Sequence, residues 1–168
     1  FREQRGIMKY AVLAFAMGLT ACASTPGATA SNPLIGSWEL IQYVDTPEGG
    51  APVHAFGDPP VGLFVFTADG RVSISFMRNP PRPEDASIDK DPDACIPMWY
   101  CSYFGTYTPD QWGGGWTARV AGGNIPSYIG TDQHRSYTLL DGTMTIAESY
   151  VVDGVTFSAK RVLRKVGR

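Results

Sequence analysis

The chain has 168 residues, of which 43% are hydrophobic and 18% are charged, and its formal net charge is −2. This length suits one domain, and the low charged fraction together with 12% aromatic residues excludes a disordered chain. The net charge gives no indication of nucleic-acid binding, so we expect none, whereas the 19 Gly and 13 Pro favour turn-rich β-structure.

Residues 1–21 have the pattern of a signal peptide. Met8 and Lys9 precede an apolar stretch, residues 11–19, that is too short to span a bilayer permanently. Met8 is a candidate start, which would make residues 1–7 an upstream extension. Residues 19–22 (LTAC) resemble the bacterial lipobox, in which the cysteine is lipidated and becomes the new N-terminus. We therefore expect lipidation of Cys22, with plain secretory cleavage beside an incidental cysteine as the alternative.

Residues 22–33 are small or turn-forming, which predicts a flexible tether ahead of a folded domain at residues 34–168. Several acyl chains on one cysteine would anchor the protein stably in a membrane. Ala23 follows the cysteine, and an alanine there is similar to lipoproteins of the outer membrane. We expect a cell-envelope protein on the outer membrane that faces the periplasm, if the cell is Gram-negative.

The two remaining cysteines, Cys95 and Cys101, form an even pair in an exported chain, which predicts a disulfide. Metal binding by this pair is less expected, because no second cysteine pair follows and the chain has only 2 His. A metal site built from His54, His134 and an aspartate is the alternative. We expect no metal and no other cofactor.

From residue 34 onward the sequence predicts about eight short strands. They cover residues 34–45, 61–67, 71–76, 102–108, 116–121, 136–140, 143–151 and 155–162. The second of these (VGLFVFT) is apolar on both faces, which predicts a buried strand, whereas the third alternates between apolar and polar residues.

Asp-Gly pairs at residues 69–70, 141–142 and 153–154 predict hairpin turns. Residues 79–97 are Pro-rich and acidic, and allow at most one short helix near residues 84–88; their acids are interpreted as a solvated loop rather than a calcium site. Consecutive antiparallel strands either close into a barrel or form a sandwich, and closure removes the exposed edges. We expect an all-β, up-and-down barrel with at most short helices.

Several segments resemble the bacterial lipocalin-like domain family. They are residues 34–38 (LIGSW), 56–59 (FGDP), 61–63 (VGL), 103–107 (YFGTY) and 126–133 (PSYIGTDQ) with Arg135. The resemblance spans residues 34–164 and implies a small lipocalin-like β-barrel, with no well-established activity. The family usually has histidine where this chain reads TAR at residues 117–119, so family chemistry that relies on those imidazoles is not expected here.

The Gly-x-Trp signature at residues 36–38 opens lipocalin barrels, and the resemblance assigns Gly36 and Trp38 to closure of the barrel base. It implies that an arginine of the last strand, Arg161 or Arg164, packs over Trp38. The alternative is that Trp38 touches ligand.

Seven residues are candidates for contact with a ligand: Arg135, Tyr103, Tyr107, Trp116, Tyr128, Phe76 and Arg78. Arg135 is expected at or inside the barrel, where it can bind a carboxylate, and the alternative is a surface or rim arginine paired with Asp132 or another acid. The aromatic candidates combine apolar faces with polar tips, which suits a pocket, and ordinary barrel core is their alternative. Phe76, Met77 and Arg78 end a strand near the expected mouth and are candidates for a gate.

The sequence lacks a Gly-x-Ser-x-Gly elbow, a P-loop and a His-Glu-x-x-His motif. Asp132 and His134 merely share a strand face, which is weak support for an acid–base pair. We therefore expect a monomeric binding protein for a small, mostly apolar molecule or lipid rather than an enzyme. The alternatives are a cyclase or isomerase on the same barrel, and a structural or interaction protein of the envelope with a filled barrel.

Overall fold

A computed structural model describes residues 31–81 and 99–167. Its strands are β1 Gly36–Pro47, β2 Val61–Phe66, β3 Arg71–Met77, β4 Tyr100–Pro109, β5 Gly115–Gly123, β6 Asp132–Leu140, β7 Thr143–Val152 and β8 Val155–Val166. A single turn of 3-10 helix, Pro126–Tyr128, lies between β5 and β6. In the described part of the chain, no helix is both long and apolar enough to cross a membrane.

The strands form one closed barrel in chain order. Each strand pairs antiparallel with the next, and β8 returns to pair with β1, where Leu40 lies opposite Leu163. The predicted all-β, up-and-down barrel is therefore confirmed, and the sandwich is excluded. Strand β8 runs past its predicted end at residue 162 because closure gives its last residue a partner: Val166 pairs with Ser37 of β1 and with no residue of β7.

Two of the three predicted hairpin turns carry the backbone geometry that two-residue connections need. Asp141 and Gly142 have φ angles of 47° and 75°, and Asp153 and Gly154 have φ angles of 49° and 79°. Positive φ at both central positions gives the tight turn whose twist matches that of antiparallel strands, and aspartate and glycine tolerate it. The turns at residues 141–142 and 153–154 thus set the registers of β6–β7 and β7–β8.

Strand β2 is buried on one face only. Phe64 and Phe66 face the interior and are 5% and 1% exposed, whereas Val61 and Leu63 are 53% and 43% exposed. The prediction of a strand buried on both faces is therefore wrong. A closed barrel has a single interior, and successive side chains of a strand point to opposite sides of the sheet.

Strand β1 contains a β-bulge at Ile41. Leu40 pairs with Leu163 and Gln42 pairs with Val162, so one residue of β1 has no counterpart on β8. Trp38 and Leu40 face inward before the bulge, and Tyr43 and Asp45 face inward after it, as their burial shows. The extra residue therefore changes which side chains β1 presents to the interior.

One end of the barrel, here named the closed end, is covered by the residues that precede β1. Leu34 is fully buried and its carbonyl accepts a hydrogen bond from Trp38 Nε1 at 2.7 Å. Asn32 Nδ2 donates to the Tyr107 hydroxyl at 2.9 Å. Lys165 Nζ lies 5.0 Å from the centroid of the Trp38 ring and donates to Pro33 O.

The expectation that Arg161 or Arg164 covers Trp38 needs correction, because Lys165 takes that place. Arg161 lies over the ring of Tyr43 inside the barrel, at 3.4 Å from its centroid. Arg164 faces outward and pairs with Glu39 at 2.6 Å. Arg161 and Lys165 lie on the same face of β8, but the register sets Lys165 opposite Trp38 and Arg161 opposite Tyr43, whereas Arg164 points to the other face.

Some predictions concern residues outside the described part of the chain. These are the signal peptide, the lipidation of Cys22, nearly all of the tether, the helix near residues 84–88 and the environment of Cys95. Cys101 lies on β4 and is 2% exposed. The Cys95–Cys101 disulfide stays a prediction.

Candidate ligand-binding site

The barrel encloses a cavity of about 470 Å³ toward the end opposite the closed end. This volume falls within the range of small-molecule sites, about 300–1,000 Å³. Every strand contributes to its wall, as does the 3-10 helix. The lining residues are Tyr43, Phe64, Ile74, Phe76, Cys101, Tyr103, Trp116, Tyr128, Arg135, Ile146, Glu148, Tyr150, Val152 and Arg161.

The cavity wall is mostly aromatic and aliphatic. Phe64 and Phe76 approach with ring centroids 6.1 Å apart, and Phe76 lies 5.4 Å from Tyr43. Ile74 and Ile146 are 0% and 3% exposed. Such walls favour an apolar ligand, since they offer it surface to bury and few polar groups to satisfy.

Four polar side chains lie together in the wall and are here named the Arg135 cluster: Arg135, Glu148, Tyr103 and Tyr128. Arg135 Nε lies 3.1 Å from Glu148 Oε1, and the two side chains are 20% and 35% exposed. The rings of Tyr103 and Tyr128 meet edge to face with centroids 5.7 Å apart.

Burial raises the pKa of Tyr103 to about 12, and the positive charge of Arg135 only partly opposes this rise. Burial by itself lowers the pKa of Arg135, but the neighbouring Tyr103 and Glu148 outweigh it and the net pKa is raised. Arg135 is therefore charged and Tyr103 neutral at physiological pH.

A second polar group, here named the Arg161 cluster, comprises Arg161, Asp45, Tyr43 and Tyr150. Arg161 Nη1 donates to Asp45 Oδ1 at 2.8 Å and to Val44 O at 3.0 Å. Asp45 is the one charged residue that is fully buried within the described part of the chain, at 2% exposure. Burial raises the pKa of Tyr150, and the negative charge of Asp45 raises it further. Burial also raises the pKa of Tyr43, against the opposing effect of Arg161.

Trp116 belongs to the cavity wall and holds the one buried side-chain donor without a hydrogen-bond partner among the described residues, where the other two such atoms, Asp45 Oδ2 and Glu148 Oε1, are acceptors. Trp116 is 0% exposed, and its ring meets that of Phe66 edge to face, with centroids 5.2 Å apart. Its Nε1–H is buried and has no hydrogen-bond partner among the described residues. Buried donors in native proteins nearly always have a partner, so this one needs an explanation.

The structure brings together five of the seven residues predicted from sequence: Arg135, Tyr103, Trp116, Phe76 and Tyr128. Tyr107 lies instead at the closed end, where its hydroxyl donates to Thr67 O at 3.1 Å. Arg78 lies beyond β3, with its guanidinium carbon 4.5 Å from the centroid of the Trp99 ring. Neither of these two lines the cavity.

Arg135 does not pair with Asp132, the partner considered from sequence. Asp132 faces outward and pairs with Arg119 at 3.3 Å, whereas Arg135 faces inward toward Glu148. Glu148 is not among the site residues predicted from the sequence, although the register of the β6–β7 hairpin indicates that it lies opposite Arg135. In the register fixed by the turn at residues 141–142, Leu140 pairs with Thr143 and Tyr137 with Ile146. Continued along both strands, this register sets Arg135 opposite Glu148.

The two histidines take part in neither polar cluster. His134 Nε2 lies 3.1 Å from Asp110 Oδ2, and His54 Nδ1 lies 3.9 Å from Asp58 Oδ2. His134 therefore does not form an acid–base pair with Asp132. Across residues 31–81 and 99–167, no group of three or more His, Cys, Asp or Glu is placed to hold a metal ion.

Comparison with known proteins identifies the family of this chain. Among solved structures, a redesigned β-barrel is similar at 14% identity and a TM-score of 0.38, over 80% of this chain and 92% of that chain. Among curated proteins, none matches this chain. The model of the lipocalin-like domain family matches residues 35–166, which span the barrel from the start of β1 to the end of β8. The chain belongs to the lipocalin-like domain family.

Proposed function

We propose that this protein binds one small, mostly apolar molecule inside its barrel and holds it in the cell envelope by a lipid anchor at Cys22. The observation that carries the binding proposal is the 470 Å³ cavity, whose wall is mostly aromatic and aliphatic and gathers its charges into two clusters. A filled barrel, as a purely structural protein would have, lacks such a volume.

Substitution of Ile146 tests binding directly. Ile146 is buried on the inward face of β7, and Ile146→Trp replaces its side chain with a larger, aromatic one that fills part of the cavity. Titration with the neutral fluorescent probe N-phenylnaphthylamine should show saturable binding to the mature wild-type protein and a loss of affinity of about tenfold or more in the variant.

The matched control is Ala147→Trp, which places the same side chain on the outward, exposed face of the same strand. It should bind the probe like the wild type. Equal affinity in Ile146→Trp and the wild type, or no probe binding by the wild type, contradicts the proposal. Native mass spectrometry of freshly purified protein would identify any small molecule that stays bound.

The anchor is supported by the LTAC sequence at residues 19–22 and by the small-residue segment that follows it. Cys22→Ala, or treatment of the cells with globomycin, should abolish lipid labelling and release the protein from the membrane fraction. Cys22→Ser serves as a second variant, because it keeps a polar side chain of similar size but cannot carry the thioether-linked lipid. Membrane association that survives both substitutions contradicts a lipid anchor.

A further inference from the structure

We infer that the cavity selects an uncharged ligand that carries a hydrogen-bond acceptor, such as a carbonyl oxygen, and that Trp116 Nε1 donates to this acceptor. The inference deepens the proposed function and rests on it, because it names the chemical class of the molecule that the barrel binds. Two independent observations carry it: the balance of charge inside the barrel and the unpartnered indole donor.

Each arginine in the cavity wall already has its own acid. Arg135 Nε lies 3.1 Å from Glu148 Oε1, and Arg161 Nη1 lies 2.8 Å from Asp45 Oδ1. The two clusters therefore contribute two positive and two negative charges, which sum to zero. Arg135 is therefore not an unpaired cation to which a ligand carboxylate could bind, because Glu148 already pairs with it.

A charged ligand would upset this balance. A carboxylate entering the cavity adds an uncompensated negative charge to a partly desolvated interior, or else displaces Glu148 from Arg135 and leaves that acid without its partner. Both outcomes are costly where water is scarce. A cationic ligand meets the same difficulty at the two arginines. A neutral molecule avoids both.

The indole of Trp116 is the reason to expect a hydrogen-bond acceptor on the ligand. It lies in the cavity wall at 0% exposure, and its N–H has no partner among the described residues. Trp38 provides a contrast, because its Nε1 is equally buried and donates to Leu34 O at 2.7 Å. A ligand that brings an acceptor to Trp116 satisfies the donor, and a pure hydrocarbon does not.

Three ligands of similar size test separately whether the cavity prefers an uncharged ligand and whether it prefers one with an acceptor: ethylnaphthalene, acetylnaphthalene and naphthoate. Each has the same bicyclic body, and they differ in carrying no polar group, a carbonyl or a carboxylate. Isothermal titration of the mature protein at neutral pH should give the tightest binding for acetylnaphthalene. We expect affinities about tenfold weaker for ethylnaphthalene and weaker still for naphthoate.

Trp116→Phe should remove the preference for acetylnaphthalene over ethylnaphthalene while both still bind. Trp112→Phe is the matched control, since Trp112 is 90% exposed on the β4–β5 turn, and it should keep the preference. The indole N–H resonance of Trp116 in the wild-type protein gives a readout that needs no variant. It should shift with acetylnaphthalene and much less with ethylnaphthalene.

Glu148→Gln tests the charge balance by a gain of binding. The substitution leaves Arg135 without its acid, so naphthoate should bind at least about tenfold more tightly than it binds the wild type. Glu39→Gln is the control, because Glu39 pairs with Arg164 on the outer face, and it should leave naphthoate binding unchanged.

The outcomes also separate this inference from the proposed function. If all three ligands bind the wild type but naphthoate binds tightest, or if Trp116→Phe keeps the preference for the ketone, the inference is overturned and the binding function stands. If the wild type binds neither these ligands nor N-phenylnaphthylamine, the proposed function fails, and the inference fails with it.

Discussion

Asp45 shows how a buried charge is held at the scale of single residues. Asp45 lies on β1 and is 2% exposed, and its carboxylate accepts a hydrogen bond from Arg161 of the neighbouring strand β8. Arg161 in turn covers the ring of Tyr43 at 3.4 Å, a cation–π contact. The pair thus couples β1 to β8 across the seam where the barrel closes.

Removal of one partner of this pair should be strongly destabilising. Asp45→Asn leaves the Arg161 guanidinium, which is 16% exposed, without an opposite charge. We expect a loss of about 3–5 kcal/mol in the free energy of unfolding, measured by urea denaturation. Glu39→Gln, which breaks the exposed pair with Arg164, should cost about 0–1 kcal/mol. Equal losses in the two variants would contradict the role given to the buried pair.

Tyr103 should make the stability depend on pH in the alkaline range. Burial raises its pKa from 10.0 to about 12 in the folded protein, so the folded chain keeps a proton that the unfolded chain has released. The stabilising contribution of this group is fully present below pH 10 and is lost as the pH rises toward 12.

Tyr103→Phe should therefore flatten the fall in the free energy of unfolding between pH 10 and pH 12, the unfolded and folded pKa values of Tyr103. The measurement is urea denaturation at several pH values across this interval. Tyr100→Phe, a substitution of an exposed tyrosine on the same strand, is the control and should keep the wild-type slope. An unchanged slope in Tyr103→Phe would show that the hydroxyl is not held neutral by the fold.

At the scale of elements, the hairpins could be predicted from sequence because their signals are local. Asp-Gly at residues 141–142 and 153–154 fixes both turn and register without help from the rest of the chain. The start of β6 could not, because residues 130–133 (GTDQ) have a turn-like composition. The strand conformation of Asp132 and Gln133 depends on pairing with β5, where Arg119 lies opposite Asp132.

The candidate site could likewise be predicted only in part. Tyr103 and Trp116 line the cavity from predicted strands, and Arg135 lines it from the position directly before a predicted strand. Asp45 and Tyr43 could not be found by alternation, because counting from Trp38 puts both on the outer face. The bulge at Ile41 reverses that count, and bulges follow from strand pairing that the sequence pattern of β1 does not reveal.

Gly36, at the start of β1, leaves room for the side chain of Lys165 at the closed end. Its φ angle is +128°, and a Cβ atom at this position would lie 3.2 Å from Lys165 Cε. Gly36→Ala should lower the free energy of unfolding by about 1–3 kcal/mol through backbone strain. Ser37→Ala, one residue along β1, should have little effect. Thermal denaturation of the two variants gives the comparison, and equal stability would contradict this role for the glycine.

At the scale of the whole molecule, the two ends of the barrel are built differently. The closed end is covered by residues 32–34 and filled by Trp38, Met144 and Leu163, each at 0% exposure. The opposite half encloses the cavity, and its wall reaches the half-exposed Val152 beside the β7–β8 turn. The two polar clusters therefore lie in the half of the barrel that residues 32–34 do not cover.

The most direct test of the account is to locate a bound molecule in solution by nuclear Overhauser effects. Acetylnaphthalene in complex with the mature protein should show effects between its ring protons and the methyl groups of Ile74 and Ile146, which line the cavity. Val61 and Leu63, which are exposed on the outer face, should show none. Contacts to the outer residues, or none to the two isoleucines despite saturable binding, would contradict a ligand site inside the barrel.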